Sequence, residues 1–255
     1  MDSQQIPTGR LYGELAWLWP LMSPPEEYAE GATHWRDELD QALGPGRHSL
    51  LELGVGGGHH LSHLAARFEP VVAVDLSEPM LAHSARLNPS VEHLRGDMRA
   101  VRLGRRFDAV TIHDAISHML TEEDLRATFA TAAEHLAPGG VFIAAPDWFR
   151  ETFHAPVVSH ESRRRGEVEF TYFEYCHDPD PSDTEIETIM TYVIRSEGRV
   201  RIEHDRLLGG LFSRATWVAL MEKAGFDVRT RAFRVGGYRF ECALLMGRAR
   251  RGGGC

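Results

Sequence analysis

Lysine is nearly missing from this chain. Of 28 basic residues in 255, only Lys223 is a lysine, against 37 acids and a formal charge of -9. Affinity for a phosphate backbone or an anionic membrane surface depends on neutralising its charge, so this balance excludes wholesale binding to either. Arginine and lysine differ physically, but a bias this extreme reflects genome composition rather than a binding face. Cysteine is sparse and odd in number: Cys176, Cys242 and Cys255. That excludes a disulfide scaffold and predicts a reducing, cytoplasmic setting. No apolar run approaches the ~20 residues of a membrane span. Met1-Asp2-Ser3-Gln4-Gln5 shows no basic stretch followed by an apolar one, so no secretory signal is expected. There is no internal repeat. The partner expected is a small-molecule substrate, with no nucleic acid and no membrane; a homo-oligomer is left open.

What is present is globular: 43% apolar and 25% charged residues over a length that suits one ordinary α/β domain with an insertion. Residues 24–43 read as an amphipathic helix entered after Pro24-Pro25 and stopped at Gly44-Pro45-Gly46. A strand–helix alternation follows. Strands are predicted at His48–Leu53, Val71–Val74, Val91–Leu94, Phe107–Ile112 and Val141–Ala145. Helices are predicted at His59–Phe68, Pro79–Leu87 (capped by Ser77) and Glu122–Leu136, the last stopped by Pro138-Gly139-Gly140. This is the rhythm of an α/β fold with a doubly wound, mostly parallel sheet.

The rhythm breaks at Pro146. Val168–Tyr175, Glu185–Ile194 and Arg199–Leu208 read as antiparallel hairpin strands separated by turn-rich segments. A helix at Arg214–Ala224 and strands at Asp227–Phe233 and Tyr238–Gly247 close the chain. The whole is expected to be a single domain. It divides into an N-terminal helical flap (1–45), a cofactor half (46–146), an antiparallel insertion after the fifth strand (147–212) and a final helix and hairpin (213–247). An insertion there lies beside the carboxyl ends of the strands, where doubly wound folds bind ligands.

The chemistry begins at Leu51-Glu-Leu-Gly-Val-Gly-Gly-Gly-His-His60, a glycine turn between a strand and a helix. Its glycines allow a tight turn and close backbone approach. Glu52 precedes the first glycine by two positions, and Asp75 ends the next strand, where a carboxylate can grip two ribose hydroxyls. A dinucleotide cradle would space its third glycine one residue later and would reserve the turn for pyrophosphate. Glu52 beside the turn would repel pyrophosphate and favour an ammonium group.

Taken in order, Glu52–Gly58, Val74-Asp75-Leu-Ser-Glu-Pro-Met80, Gly96-Asp97-Met98, Phe107-Asp-Ala-Val110 and Leu136-Ala-Pro-Gly-Gly-Val141 resemble the motifs of class I S-adenosylmethionine-dependent methyltransferases. Residues 147–247 resemble the small-molecule branch that includes sugar N-methyltransferases of macrolide biosynthesis and glycine N-methyltransferase. The resemblance implies a seven-stranded Rossmann-like sheet and S-adenosyl-L-methionine as cofactor. It implies that Gly54 and Gly56 cradle the methionine part near Glu52, and that Asp75 holds the ribose. Leu76 and Met80 would flank the adenine, Asp97 would accept its amino group, and Met98 would pack on the ring. His113 would sit near the sulfonium, and Tyr12 and Tyr28 would reach the cofactor from the N-terminal flap. The chain departs from the family pattern at Gly57, where Thr or Ser is common. It lacks the Asn-Pro-Pro-Tyr type of motif, reading His113-Asp-Ala-Ile instead, which argues against DNA base methylation.

Methyl transfer is an in-line displacement, and a base is needed when the nucleophile arrives protonated. His118, in the loop after the fourth strand, is the first candidate base, because imidazole accepts protons near neutrality. Asp147, directly after the fifth strand, is the second. Trp148, Phe170, Tyr172 and Phe173 are the candidate substrate-binding aromatics; strict alternation puts Phe170 and Tyr172 on one face, Phe173 and Tyr175 on the other. His59 and His63 have the spacing of metal ligands on one helical face, but with His60 they lack an acid or thiol partner, so no metal is expected. The reading is N-methylation of a specialised metabolite, such as an amino sugar of antibiotic biosynthesis. An O-methyltransferase, a non-catalytic S-adenosylmethionine-binding protein and a nicotinamide oxidoreductase stand as alternatives.

Overall fold

The computed structural model describes residues 6–236 and 242–250. Seven strands form one sheet: β1 (His48–Leu53), β2 (Phe68–Asp75), β3 (Glu92–Arg95), β4 (Phe107–Ile112), β5 (Leu136–Ala144), β10 (Phe226–Phe233) and β11 (Cys242–Ala249). Their order is β10-β11-β5-β4-β1-β2-β3. All pairings are parallel except those of β11, which runs antiparallel to β5 and β10. Tyr238 to Glu241, expected to open the last strand, lie outside the described residues.

Both faces of the sheet are buried, as crossover helices require. On one face α4 (Glu122–Glu134) and α5 (Arg214–Lys223) bury Leu125, Phe129, Trp217 and Leu220 against Leu51, Val72, Val110 and Phe142. On the other, α2 (Ala29–Leu43) presents Ala32, Trp35 and Leu39 to Leu50, Ala109 and Ile143. Helix starts follow capping chemistry. Ser77 accepts from Met80 N at 3.1 Å to open α3 (Glu78–Leu87), and Thr121 accepts from Asp124 N at 3.1 Å to open α4. Each cap contributes about 1 kcal/mol.

Three expectations need correction. His59–Phe68 is two short 3-10 turns, not an α-helix. The Ser62 hydroxyl donates to the His59 carbonyl at 2.7 Å, and His63 N bonds His60 O in the tighter 3-10 pattern. Pro138-Gly139-Gly140 does not stop a helix outside the sheet. α4 ends at Glu134, and these residues form an irregularity inside β5, where the register against β4 slips between Phe107 and Ala109. The insertion holds four strands rather than three: β6 (Val157–Arg165), β7 (Val168–His177), β8 (Glu185–Ser196) and β9 (Arg199–Gly210), antiparallel in that order. β6 went unseen because it is a polar edge strand exposed along most of its length, so no apolar alternation marks it.

The N-terminal segment packs beneath the inward face of this second sheet. Leu11, Leu15 and Leu18 join Phe170, Tyr172, Met190 and Tyr192 in one buried cluster. The Asp205 carboxylate on β9, fully buried, accepts from Arg10 N at 2.9 Å and Leu11 N at 2.7 Å. These bonds tie the segment to the insertion.

Candidate functional site: a cleft at the carboxyl edge of the sheet

The strands β1, β2, β4 and β5 all deliver their carboxyl ends to one edge. After β1, Gly54 N and Val55 N bond Val74 O at 2.7 and 3.1 Å, which folds the glycine turn back over the end of β2. Gly56 takes a φ of +53°, accessible to glycine at little cost. Its N–H donates to Asp75 Oδ2 at 2.7 Å, while Ser77 N donates to Asp75 Oδ1 at 2.8 Å. Asp75 therefore couples the two loops, and each oxygen keeps a further lone pair. Burial raises its pKa against these hydrogen bonds. Leu76 beside it is 56% exposed, a large apolar side chain left open at the cleft mouth. A Cβ on Gly57 would fall 2.5 Å from Trp19 Cδ1. The Trp19 ring thus explains why Thr or Ser does not stand there.

Some expected cofactor residues are engaged by protein partners of their own. Met80 is fully buried, its Cε 3.6 Å from where a Gly56 Cβ would be, so it lies beneath the turn rather than on an open face. Met98 packs against Gly54, with Cε 2.7 Å from where its Cβ would sit. Asp97 is gripped by Arg99, whose Nη2 donates at 2.7 Å and whose Nη1 bridges on to Asp124. The Arg99 hydrogen bond lowers the Asp97 pKa, and any adenine amino group must share that carboxylate with Arg99. Tyr28 donates to or accepts from Ser23 Oγ at 2.7 Å, and its ring lies 6.0 Å from His59 and 5.8 Å from His113.

Tyr12 bridges the two sides of the cleft. Its carbonyl accepts from Ser77 Oγ at 2.5 Å, and its hydroxyl lies 3.0 Å from His118 Nε2. His118 Nδ1 lies 3.1 Å from the Leu208 carbonyl. A carbonyl only accepts, so Nδ1 carries a proton, and Nε2 is left turned to the Tyr12 hydroxyl.

Acids gather around the neighbouring imidazole of His113. His113 Nδ1 pairs with Asp114 Oδ1 at 3.2 Å. Burial works against charge on His113, but Asp114, Glu52 and Asp147 outweigh it and raise its pKa. Burial and the neighbouring Asp114 push Asp147 up to about 7. Asp147 and Asp114 are both open to solvent yet crowded by protein, the combination a cleft wall produces. Glu174 on β7 accepts from Ser159 Oγ, and its charge reaches Asp147. Burial raises its pKa too.

The alternation within β7 holds. Phe170 and Tyr172 face inward with Glu174, and Tyr172 pairs with Tyr192 across the ladder. Phe173 is corrected: it is 44% exposed on the outward face beside His160, away from the cleft. Phe170 is fully buried and stacked on Tyr192 at 5.9 Å, so it is core rather than ligand surface. Trp148 stands edge-on to Phe153 at 5.5 Å. Glu174 shares the inward register of Tyr172 on β7, and that alternation is the signal in the sequence that could have found it. Trp35 was missed as well. It is a buried helix residue whose ring packs on His60 at 4.7 Å and on His113 at 5.5 Å, and no motif marks it.

His59 and His63 do not converge on a common centre. His59 Nδ1 bonds Ser23 O at 2.5 Å and His63 Nε2 bonds Pro25 O at 2.8 Å, which fastens the N-terminal segment to the loop after β1. Among the described residues no group of three or more His, Cys, Asp or Glu is placed to hold a metal ion. No helix among them is long and apolar enough to cross a membrane.

A parallel sheet with one antiparallel β-hairpin at its edge, a glycine turn, an acid at the end of β2 and an acid-lined chamber define a nucleoside-cofactor methyltransferase. Comparison with known proteins agrees. Residues 50–140 match the methyltransferase domain family. The chain is 35% identical, over 80% of its length and 85% of the relative's, to the dTDP-3-amino-3,4,6-trideoxy-α-D-glucopyranose N,N-dimethyltransferase of Streptomyces venezuelae. It superposes on the crystal structure of DesVI from the same organism with a TM-score of 0.79 at 30% identity, covering 92% of this chain and 96% of that one. It superposes on the S-adenosylmethionine-bound amino pentose methyltransferase CalS10 of Micromonospora echinaspora with a TM-score of 0.74 at 27% identity, covering 87% and 91%. The chain belongs to the S-adenosylmethionine-dependent methyltransferases, and S-adenosylmethionine is its cofactor. The residues present fit that molecule: a buried carboxylate with an unpartnered oxygen (Glu52), a left-handed glycine turn, Asp75 with spare lone pairs and the exposed Leu76.

Proposed function

We propose that the enzyme methylates the amino group of a small molecule, an amino sugar carried on a nucleoside diphosphate. The observation that carries this reading is the placing of His118, its Nε2 turned to the Tyr12 hydroxyl, beside a wall of Asp114, Asp147 and Glu174. Carboxylates favour an arriving ammonium, and the imidazole can take the proton that must leave before nitrogen becomes a nucleophile. Relatives named as N,N-dimethyltransferases of dTDP-amino sugars in Streptomyces venezuelae, Streptomyces fradiae and Saccharopolyspora spinosa support it.

S-adenosylmethionine supplies an electrophilic methyl group on a sulfonium. Asp75, Gly56 and Leu76 would hold its nucleoside, with Glu52 and Gly54 near its amino acid end and Met98 packed on the turn. Tyr12 keeps His118 oriented while no substrate is bound. Tyr172 and Glu174 form the side of the chamber that the insertion supplies, and Trp148 and Asp147 its base. The chain's work is to orient the nitrogen, exclude water and remove one proton per transfer.

The test is a panel of nucleotide-linked sugars differing only in an amine or a hydroxyl at one position, assayed with methyl-labelled cofactor. Label in the amine members alone, with one or two methyl groups by mass, is expected. Label in the hydroxyl members alone would replace the proposal with O-methylation.

A further inference from the structure

Behind the glycine turn lies a buried polar cluster that methyl transfer as described does not use. Glu52 is 1% exposed and His60 is 5% exposed. Glu52 Oε2 and both ring nitrogens of His60 are buried without a hydrogen-bond partner, and the buried Thr111 hydroxyl is the one neutral group that acts on the Glu52 carboxyl in favour of its charged form. Thr111 is the register partner of Glu52 on β4. His60 Nδ1 stands 3.8 Å from Glu52 Oε1, and the imidazole is clamped between Trp35 at 4.7 Å and His113 at 4.3 Å. Buried polar atoms are ordinarily paired, so several orphans in one place call for an explanation.

Their charge environment supplies one. The ionisable groups acting on Glu52 are His113 and Asp114 after β4; those acting on His60 are His113 and His63. No arginine or lysine forms a salt bridge with Glu52 among the described residues. The charge of His113 is already matched by Asp114 at 3.2 Å. A lone carboxylate cannot stay ionised in such surroundings, so it keeps a proton or borrows one from its neighbour.

We propose that Glu52 and His60 hold one proton between them in the free enzyme and release it to solvent when the ammonium group of the cofactor's zwitterionic amino acid end enters the cleft, so that cofactor capture is proton-linked and His60 is the positioning residue that sets its pH range. This rests on the cofactor reading of the cleft. The balance is one O–H or N–H bond broken, one proton passed to water and one ammonium group set opposite the carboxylate in its place, its own α-carboxylate lying on the other side. Whether oxygen or nitrogen carries the proton is a property of the pair and does not alter the count. Burial supports the same direction on both members: it raises Glu52 to about 8 and drives His60 well below its ordinary range, so exactly the neutral forms are favoured.

The probe is S-adenosylhomocysteine, which keeps the ammonium and needs no turnover. Calorimetry in buffers of different ionisation enthalpy near neutral pH is expected to give about one proton released per site. Affinity should rise by up to about tenfold per pH unit below about pH 8 and then level off. Glu52→Gln should release no proton and bind with little pH dependence. His60→Phe keeps a ring between Trp35 and His113 but removes both nitrogens; its affinity should fall several-fold at pH 7 and converge on the wild type at higher pH. A proton count of zero, or one that survives Glu52→Gln, overturns the proposal. A loss in His60→Phe that is equal at every pH makes His60 structural and overturns its assigned role. A folded wild type that fails to bind S-adenosylhomocysteine at any pH would instead overturn the cofactor reading of the cleft.

Discussion

The sheet edge proposed to face the cofactor and the inserted sheet proposed to face the substrate are built by opposite means. At the edge, contacts are made by backbone and short side chains drawn from contiguous motifs: Gly56 N on Asp75, Ser77 N on Asp75, Gly54 N on Val74 O. Little can vary there, because the loops hold one another. In the insertion every inward side chain alternates with an outward one, and of the inward set Phe170 is core while Tyr172 and Glu174 make the proposed wall. The same backbone can carry another set of side chains without disturbing the ladder. On the proposed reading the contrast teaches that the cofactor would be recognised by loop geometry and the substrate by side-chain choice. His118 and Tyr12 stand between the two and belong to neither alone.

That division can be broken most sharply at its centre. His118→Ala should lower turnover about 10²–10⁴-fold while leaving S-adenosylhomocysteine affinity nearly intact, measured by steady-state kinetics beside calorimetry. A loss under threefold would show that orientation alone suffices. Asp75→Ala should come next, on the cofactor side. It removes charged hydrogen-bond acceptors at the join of two loops and should weaken cofactor binding by about 1.5–3 kcal/mol, with substrate affinity changed much less. A folded variant with unchanged cofactor affinity would reverse the assignment.

The insertion supplies the complementary pair. Asp147, at about 7, is neutral below that pH and charged above it. Substrate affinity, read with S-adenosylhomocysteine bound, should therefore rise through about pH 7 and lose most of that rise in Asp147→Asn. Tyr172→Ala should weaken substrate binding by about 0.5–1.5 kcal/mol beyond lost burial and leave the cofactor untouched, by calorimetry of both ligands on one preparation. The smallest effect is expected on the outward face: Phe173→Ser should leave both affinities alone and change stability within about 0.5 kcal/mol by chemical denaturation. If Phe173→Ser instead impaired substrate binding, the two-faced description of the insertion would fail.

By itself the sequence determined the central sheet, because strands buried on both faces and broken by capped helices leave a short-range pattern. It also placed the glycine turn after β1, Asp75 at the end of β2 and His118 in the loop after β4, because a tight turn, a strand-end acid and a loop histidine are local facts. The polar edge strand β6 and the 3-10 turns after His59 were decided by their neighbours, β7 in the first case and the Ser62 hydroxyl in the second. Tertiary structure alone decided that Phe173 turns outward, that Met80 lies under the turn and that Arg99 occupies Asp97. It also decided that Glu52, His60, Trp35 and His113 meet in one buried place. Those residues come from three separate segments, and a charge's partners depend on distance through space, which the order of residues along a chain does not encode.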